Sequence, residues 1–202
     1  MPENPLGTLP GGKKRMMPLP LDDPRWAELE IGDGRSADVP DKLRHLLQNP
    51  ADVAAFSDLW PDMCSQDTAW SVSYAAVPYI VEIASRLGPA ERWEHLSFVG
   101  YVVRCLSYGD AANLPIPEKW AGNRELNRHA YLKDAYIAAL HRALPLTLES
   151  LAAPLAPDIT RYLLGTVAAL KGYPNLGTAI ENLNMIMEEL RPLETGWAEI
   201  EG

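Results

Sequence analysis

Cysteine, histidine and basic charge are all scarce in this chain. Cys64 and Cys105 are its two cysteines in 202 residues. With no C-x-x-C pair between them, a disulfide-stapled scaffold is excluded and both read as small apolar side chains. The four histidines, His45, His95, His129 and His141, occur without an H-E-x-x-H motif. Glu91 with His95, and Glu125 with His129, stand at i, i+4 and read as solvated helix-surface pairs. A catalytic zinc needs three protein ligands and an open position, so no metal and no cofactor is expected. Lys and Arg number 18 against 27 Asp and Glu, a net charge of −9. No basic stripe can be assembled for a phosphate backbone, which removes nucleic acid as a partner and favours a neutral or basic protein.

Long apolar runs are missing as well. The stretches at 96 to 106 and 162 to 170 are far shorter than the roughly 20 residues a membrane helix requires, so no membrane association is expected. The first twenty residues lack the apolar core of a secretory signal, being broken by five prolines and three glycines, and a cytoplasmic location follows by default. There is no G-x-S-x-G elbow, phosphate-binding P-loop or dinucleotide fingerprint, and "GDGRSAD" does not follow a strand. Asp62 and Asp67 close in sequence to Cys64 should raise its thiol pKa, and Cys105 sits in the most apolar segment. Neither is a good thiolate, no catalytic residue is assigned, and the chain is read as a non-enzyme.

What is abundant is helical punctuation. Residues 1–22 form a Pro/Gly-rich arm with a short Lys13-Lys14-Arg15 cluster, expected to be extended or mobile, and residues 23–202 read as one helical domain. Asp38 is placed to cap a helix whose first turn holds Pro40, with Leu43, Leu46 and Leu47 on one face. Asn49-Pro50 opens a second helix carrying Val53, Phe56, Leu59 and Trp60. The spacing predicts a helix over 66 to 76 that ends or kinks at Pro78, a restart to Gly88, and an almost wholly apolar helix over 89 to 108 in which Gly100 lets a neighbour approach. Pro145 and Pro154 are read as similar breaks. After the turn "NLPIPEKW", helices are expected near 123 to 144, 158 to 171 and 176 to 190. Such short helices are marginal alone and must be held by neighbours, so the fold class is all-α, layered helix pairs.

The segments "WAELEIGDGRSADVPDKLRHLL" and "DTAWSVSYAAVPYIVEIASRL" resemble bacterial HEAT-like repeat proteins. The matching positions are Trp26, Leu29, Gly32, Gly34, Asp38, Val39, Pro40 and Leu43, then Ala75, Ala76, Val77, Pro78, Tyr79 and Ile80. The likeness covers about residues 24 to 88. Where family members often carry H-Q-G-T in the turn before the A-V-P helix, this chain has Ser65-Gln66-Asp67-Thr68. The resemblance implies an α-α superhelix of stacked antiparallel helix pairs (HEAT/armadillo-like) that binds another protein, with some members resembling immunity proteins that neutralise toxins.

The polar residue that asks most of its surroundings is Arg104, set among Val102, Val103, Cys105 and Leu106. A guanidinium there either snorkels to an edge, meets an internal carboxylate, or points into a groove. Tyr101 and Tyr108 share its face, and Trp70 and Tyr74 form a second i, i+4 aromatic pair. Gln66, Asp67, Trp70, Tyr74, Tyr101, Arg104 and Tyr108 are therefore the candidate binding face of a protein-binding scaffold, an immunity or adaptor protein whose partner would be another protein such as a toxin. The alternative is a small-molecule or peptide pocket around Arg104 with hydrolytic activity. Tyr and Trp at helical spacing are equally the pattern of a core.

Overall fold

The structure, a computed structural model, describes residues 17–31, 38–65, 68–105 and 128–183. Seven α-helices carry the described chain: α1 Val39–Gln48, α2 Val53–Met63, α3 Ser71–Ser85, α4 Trp93–Cys105, α5 Lys133–Leu151, α6 Pro157–Leu170 and α7 Pro174–Glu181. Two short 3-10 turns, Pro24–Glu28 and Ala130–Leu132, and one antiparallel pair of two-residue strands, Cys64–Ser65 and Thr68–Ala69, complete them. The all-α class holds. The Gly32/Gly34 turn, the "NLPIPEKW" turn, Glu125 and Lys13-Lys14-Arg15 lie outside the described residues.

Local chemistry starts and stops these helices, not always where the sequence pattern places the break. Pro40 occupies the first turn of α1, but the Asp38 side chain makes no capping hydrogen bond. At α2 it is Asp52 that caps, its Oδ1 accepting from the Ala55 N–H at 3.0 Å. Thr68 and Ala69 are not part of a helix; they pair as a strand with Cys64–Ser65, Cys64 opposite Ala69, ahead of α3. Pro78 lies inside α3, which runs unbroken from Ser71 to Ser85. A mid-helix proline costs about 3 kcal/mol. Val77, Ile80, Val81 and Ile83 are all completely buried, and at about 2 kcal/mol each their burial outweighs the lost hydrogen bond. Pro145 is likewise internal to α5, whereas Pro154 falls between α5 and α6. α6 ends at Gly172, whose φ of 92° suits the left-handed position. There Gly172 N–H and Tyr173 N–H donate to Ala169 and Ala168 C=O, each at 2.9 Å, a Schellman closure.

The helices stack in two rows. α1, α3 and α5 are neighbours in that order, each first helix is paired with the next (α1 with α2, α3 with α4, α5 with α6), and α4 lies against α6. Ring contacts join α2 to α4, with Phe56 and Phe98 edge-on at 5.9 Å and Trp60 and Phe98 at 5.0 Å. α7 packs on α6 and α4. α4 is central as expected. A Cβ added at Gly100 would come within 2.9 Å of the Thr166 Cα on α6, so the glycine is what permits that crossing.

Residues 17–22 are docked rather than free. Leu19 is buried, the Tyr79 hydroxyl donates to its carbonyl at 2.6 Å, Trp26 Nε1 donates to Pro20 C=O at 2.8 Å, and Arg44 Nη2 reaches Leu21 C=O at 2.6 Å. This part of the arm straps α1 to α3. Among the described residues no helix is long and apolar enough to cross a membrane.

Candidate functional site

One face of α4 presents Trp93, Ser97, Tyr101 and Arg104, at i, i+4, i+8 and i+11, and so in one row along the helix. Trp60 of α2, Tyr162 of α6 and Glu181 of α7 converge on this row from the flanking helices, with Glu94 beside it. Together they line a half-open cleft of about 410 Å³. Its walls are aromatic: Trp93 and Tyr162 lie nearly parallel with centroids 6.3 Å apart, and Trp60 and Tyr101 are tilted at 6.0 Å.

At its base Arg104 is ion-paired with Glu181. Internal pairing is thus the fate of the guanidinium, and it is found at the wall of a groove. The two side chains are only 10% and 13% exposed, so each charge depends on the other. Burial raises the Glu181 pKa, opposed by Arg104 and by the more distant Arg161. Arg104 also lies over the Tyr101 ring, 5.5 Å from its centroid. The approach of α7 that delivers Glu181 depends on Gly177: a Cβ there would meet Gly165 O at 2.6 Å and Arg104 Cδ at 3.4 Å. On the far wall Arg161 sits 5.3 Å from the Tyr162 centroid and pairs with Asp158 at 3.1 Å. Besides Arg161, whose Nε and Nη1 are buried with no hydrogen-bond partner among the described residues, two polar groups of the cleft keep unused capacity. Among the described residues the buried Ser97 hydroxyl has no hydrogen-bond partner, and Glu94 accepts only the Ser57 hydroxyl, at 3.2 Å.

Of the residues singled out from sequence, Tyr101 and Arg104 are brought together here. Tyr74 instead belongs to the core, 3% exposed and edge-on to Tyr136 at 5.3 Å. Trp70 is half-buried in front of α3, its indole N–H enclosed without a hydrogen-bond partner among the described residues. Gln66, Asp67 and Tyr108 lie outside the described residues. Trp60, Trp93, Glu94, Ser97, Tyr162 and Glu181 were missed. The i, i+4 steps back from Arg104 through Tyr101 point to Ser97 and Trp93, but no local pattern points to Glu181.

The titratable groups elsewhere are structural. His95 does not face Glu91, whose carboxylate takes the Gly88 N–H at 3.0 Å. The imidazole is buried, stacked on Phe56 at 4.1 Å, and burial lowers its pKa to about 4, so it is neutral at pH 7. Cys64 has its thiol pKa raised, as the sequence suggested, but the cause is burial first and Cys105 second rather than nearby carboxylates. Among the described residues no three His, Cys, Asp or Glu side chains are grouped to hold a metal ion. A second groove of about 410 Å³ lies by the strap, where Glu82 pairs with Arg86 at 3.3 Å and with Arg142 at 2.8 Å. One carboxylate thus serves two guanidiniums, and the groove keeps one positive charge.

No family model, curated protein or solved structure matches the chain.

Proposed function

We propose that this chain is a non-enzymatic protein-binding scaffold of the immunity or adaptor kind, built as a HEAT-like superhelix, whose partner docks over the α2–α4–α6 row. The order of neighbours, with α1, α3 and α5 in one row and α2, α4 and α6 in the other, supports the superhelical reading. The single observation that carries the functional reading is the cleft: two tryptophans and two tyrosines, all partly exposed on helices, around a buried, ion-paired arginine. These are the side chains that dominate the energetics of protein interfaces. The chain's net charge of −9 favours a neutral or basic partner.

A second reading, a small-molecule or peptide pocket around Arg104, draws support from the cleft volume, which falls in the range of ligand sites. Affinity capture separates the two. The intact chain, and a Trp93→Ala/Tyr162→Ala variant with an unchanged thermal melt, are used as baits on extract from the source cells, and each recovered protein is purified and retitrated. The scaffold reading expects a one-to-one protein complex weakened at least about tenfold by the variant. A complex indifferent to the variant, or a small molecule retained in native mass spectra and lost with Trp93 and Tyr162, would contradict it.

A further inference from the structure

We propose that the outer part of this cleft is a receptor for one basic side chain, a lysine or arginine, of the protein partner; this rests on the scaffold reading above. Glu94 and Glu181 line the cleft with Arg104, which is matched by Glu181, and Arg161 behind Tyr162 is matched by Asp158. Among the described residues no cation pairs with Glu94. One carboxylate therefore stands at the aromatic walls without a counter-ion, and a cation completes it.

The walls suit the same ligand. Indole and phenol faces attract ammonium and guanidinium groups within about 6 Å of the ring centroid. The chain already uses that contact at both sides of the cleft, with Arg104 over Tyr101 at 5.5 Å and Arg161 over Tyr162 at 5.3 Å. Trp60 and Trp93, the better cation acceptors by ring type, carry no such internal cation among the described residues. The buried Ser97 hydroxyl lines the cleft with no hydrogen-bond partner among the described residues, and its oxygen is an acceptor for an N–H of the entering head group. An anionic ligand fits worse: the charge of Arg104 is balanced by Glu181 and that of Arg161 by Asp158, the Nε and Nη1 of Arg161 that make no hydrogen bond among the described residues are buried, and Glu94 would repel it.

The test uses the full chain and free probes: Nα-acetyl-arginine amide, Nα-acetyl-lysine amide, the neutral isostere Nα-acetyl-norleucine amide, and tetramethylammonium chloride, each titrated by calorimetry and by ¹H–¹⁵N NMR. The expected result is saturable, millimolar binding of the arginine and lysine probes with shifts of the Trp60 and Trp93 indole N–H signals. Binding should fall about tenfold in Glu94→Gln and again at high salt. Glu94→Gln is isosteric and half-exposed, so an unchanged melt is expected; Trp93→Phe is the second variant. Equal binding of the norleucine probe, no response at either indole, or insensitivity to Glu94→Gln overturns the proposal. So does a preference for tetramethylammonium over both side-chain probes, which would assign the cleft to a quaternary ammonium ligand. A partner that docks over the cleft while the probes do not bind would leave the scaffold reading standing and remove only the basic anchor. Probe binding with no protein partner recovered would do the reverse.

Discussion

Arg104 and Glu181 are separated by 77 positions in the chain and meet with most of their hydration removed. Breaking such a pair from one side strands a buried charge, which costs about 3–5 kcal/mol, whereas replacing both partners with apolar groups is much milder. Arg104→Leu should therefore lower unfolding free energy by about 3 kcal/mol in urea titrations, and Arg104→Leu/Glu181→Leu should recover more than half of that loss. Additive losses would mean that the two groups do not depend on each other. His95 gives the second residue-scale prediction. Its pKa is lowered from 6.5 to about 4 in the folded chain, so between those values the unfolded chain binds more protons. The stabilisation from neutral His95 is then complete above about pH 6.5 and is lost as pH falls towards about 4, up to about 3 kcal/mol in total. Chemical denaturation at pH 7 and pH 5 should show wild type losing about 2 kcal/mol more than His95→Leu over that interval. Parallel losses in the two proteins would show that His95 does not carry the acid sensitivity. The sequence made Arg104 conspicuous because a guanidinium in an apolar helix must find a partner. It misread His95, since i, i+4 spacing from Glu91 marks a shared face but not whether that face meets water or Phe56.

Among the elements, α1, α2, α4 and α6 were legible because their apolar stripes and first-turn residues agree. The continuity of α3 and α5 through Pro78 and Pro145 was not, because a proline's local cost is smaller than the burial it opposes, and burial is a property of neighbours absent from any local window. The strand pair at 64 to 69 was hidden for a related reason: two residues per strand leave no alternation to detect. Glycine at 100 was readable as a close approach, and its consequence is testable. Gly100→Val drives side-chain atoms into Thr166 of α6 and should destabilise the fold by about 1–3 kcal/mol, read as a lower urea midpoint at constant m-value. A neutral outcome would mean that α4 and α6 are not so closely crossed.

Across the whole molecule, the second helices of successive pairs assemble a surface that no single segment encodes. Trp60, Trp93, Tyr162 and Glu181 come from four helices, which is why only the Arg104–Tyr101 portion of the cleft was foreseeable. The strap at residues 17–22 acts at the same scale, tying α1 and α3 through Leu19, Leu21 and Tyr79. Leu19→Ala should cost about 2 kcal/mol in thermal or urea unfolding without altering probe binding at the cleft, since the strap and the cleft share no lining residue. The most direct measurement of the central claim is site-specific photo-crosslinking with p-benzoylphenylalanine placed at position 93 in the cleft or at position 148 on the exposed side of α5. Irradiation in extract of the source cells should yield a discrete protein adduct from position 93, suppressed by excess Nα-acetyl-arginine amide, and none from position 148. An adduct that forms from 148 but not from 93 would place recognition elsewhere on the molecule and contradict the account.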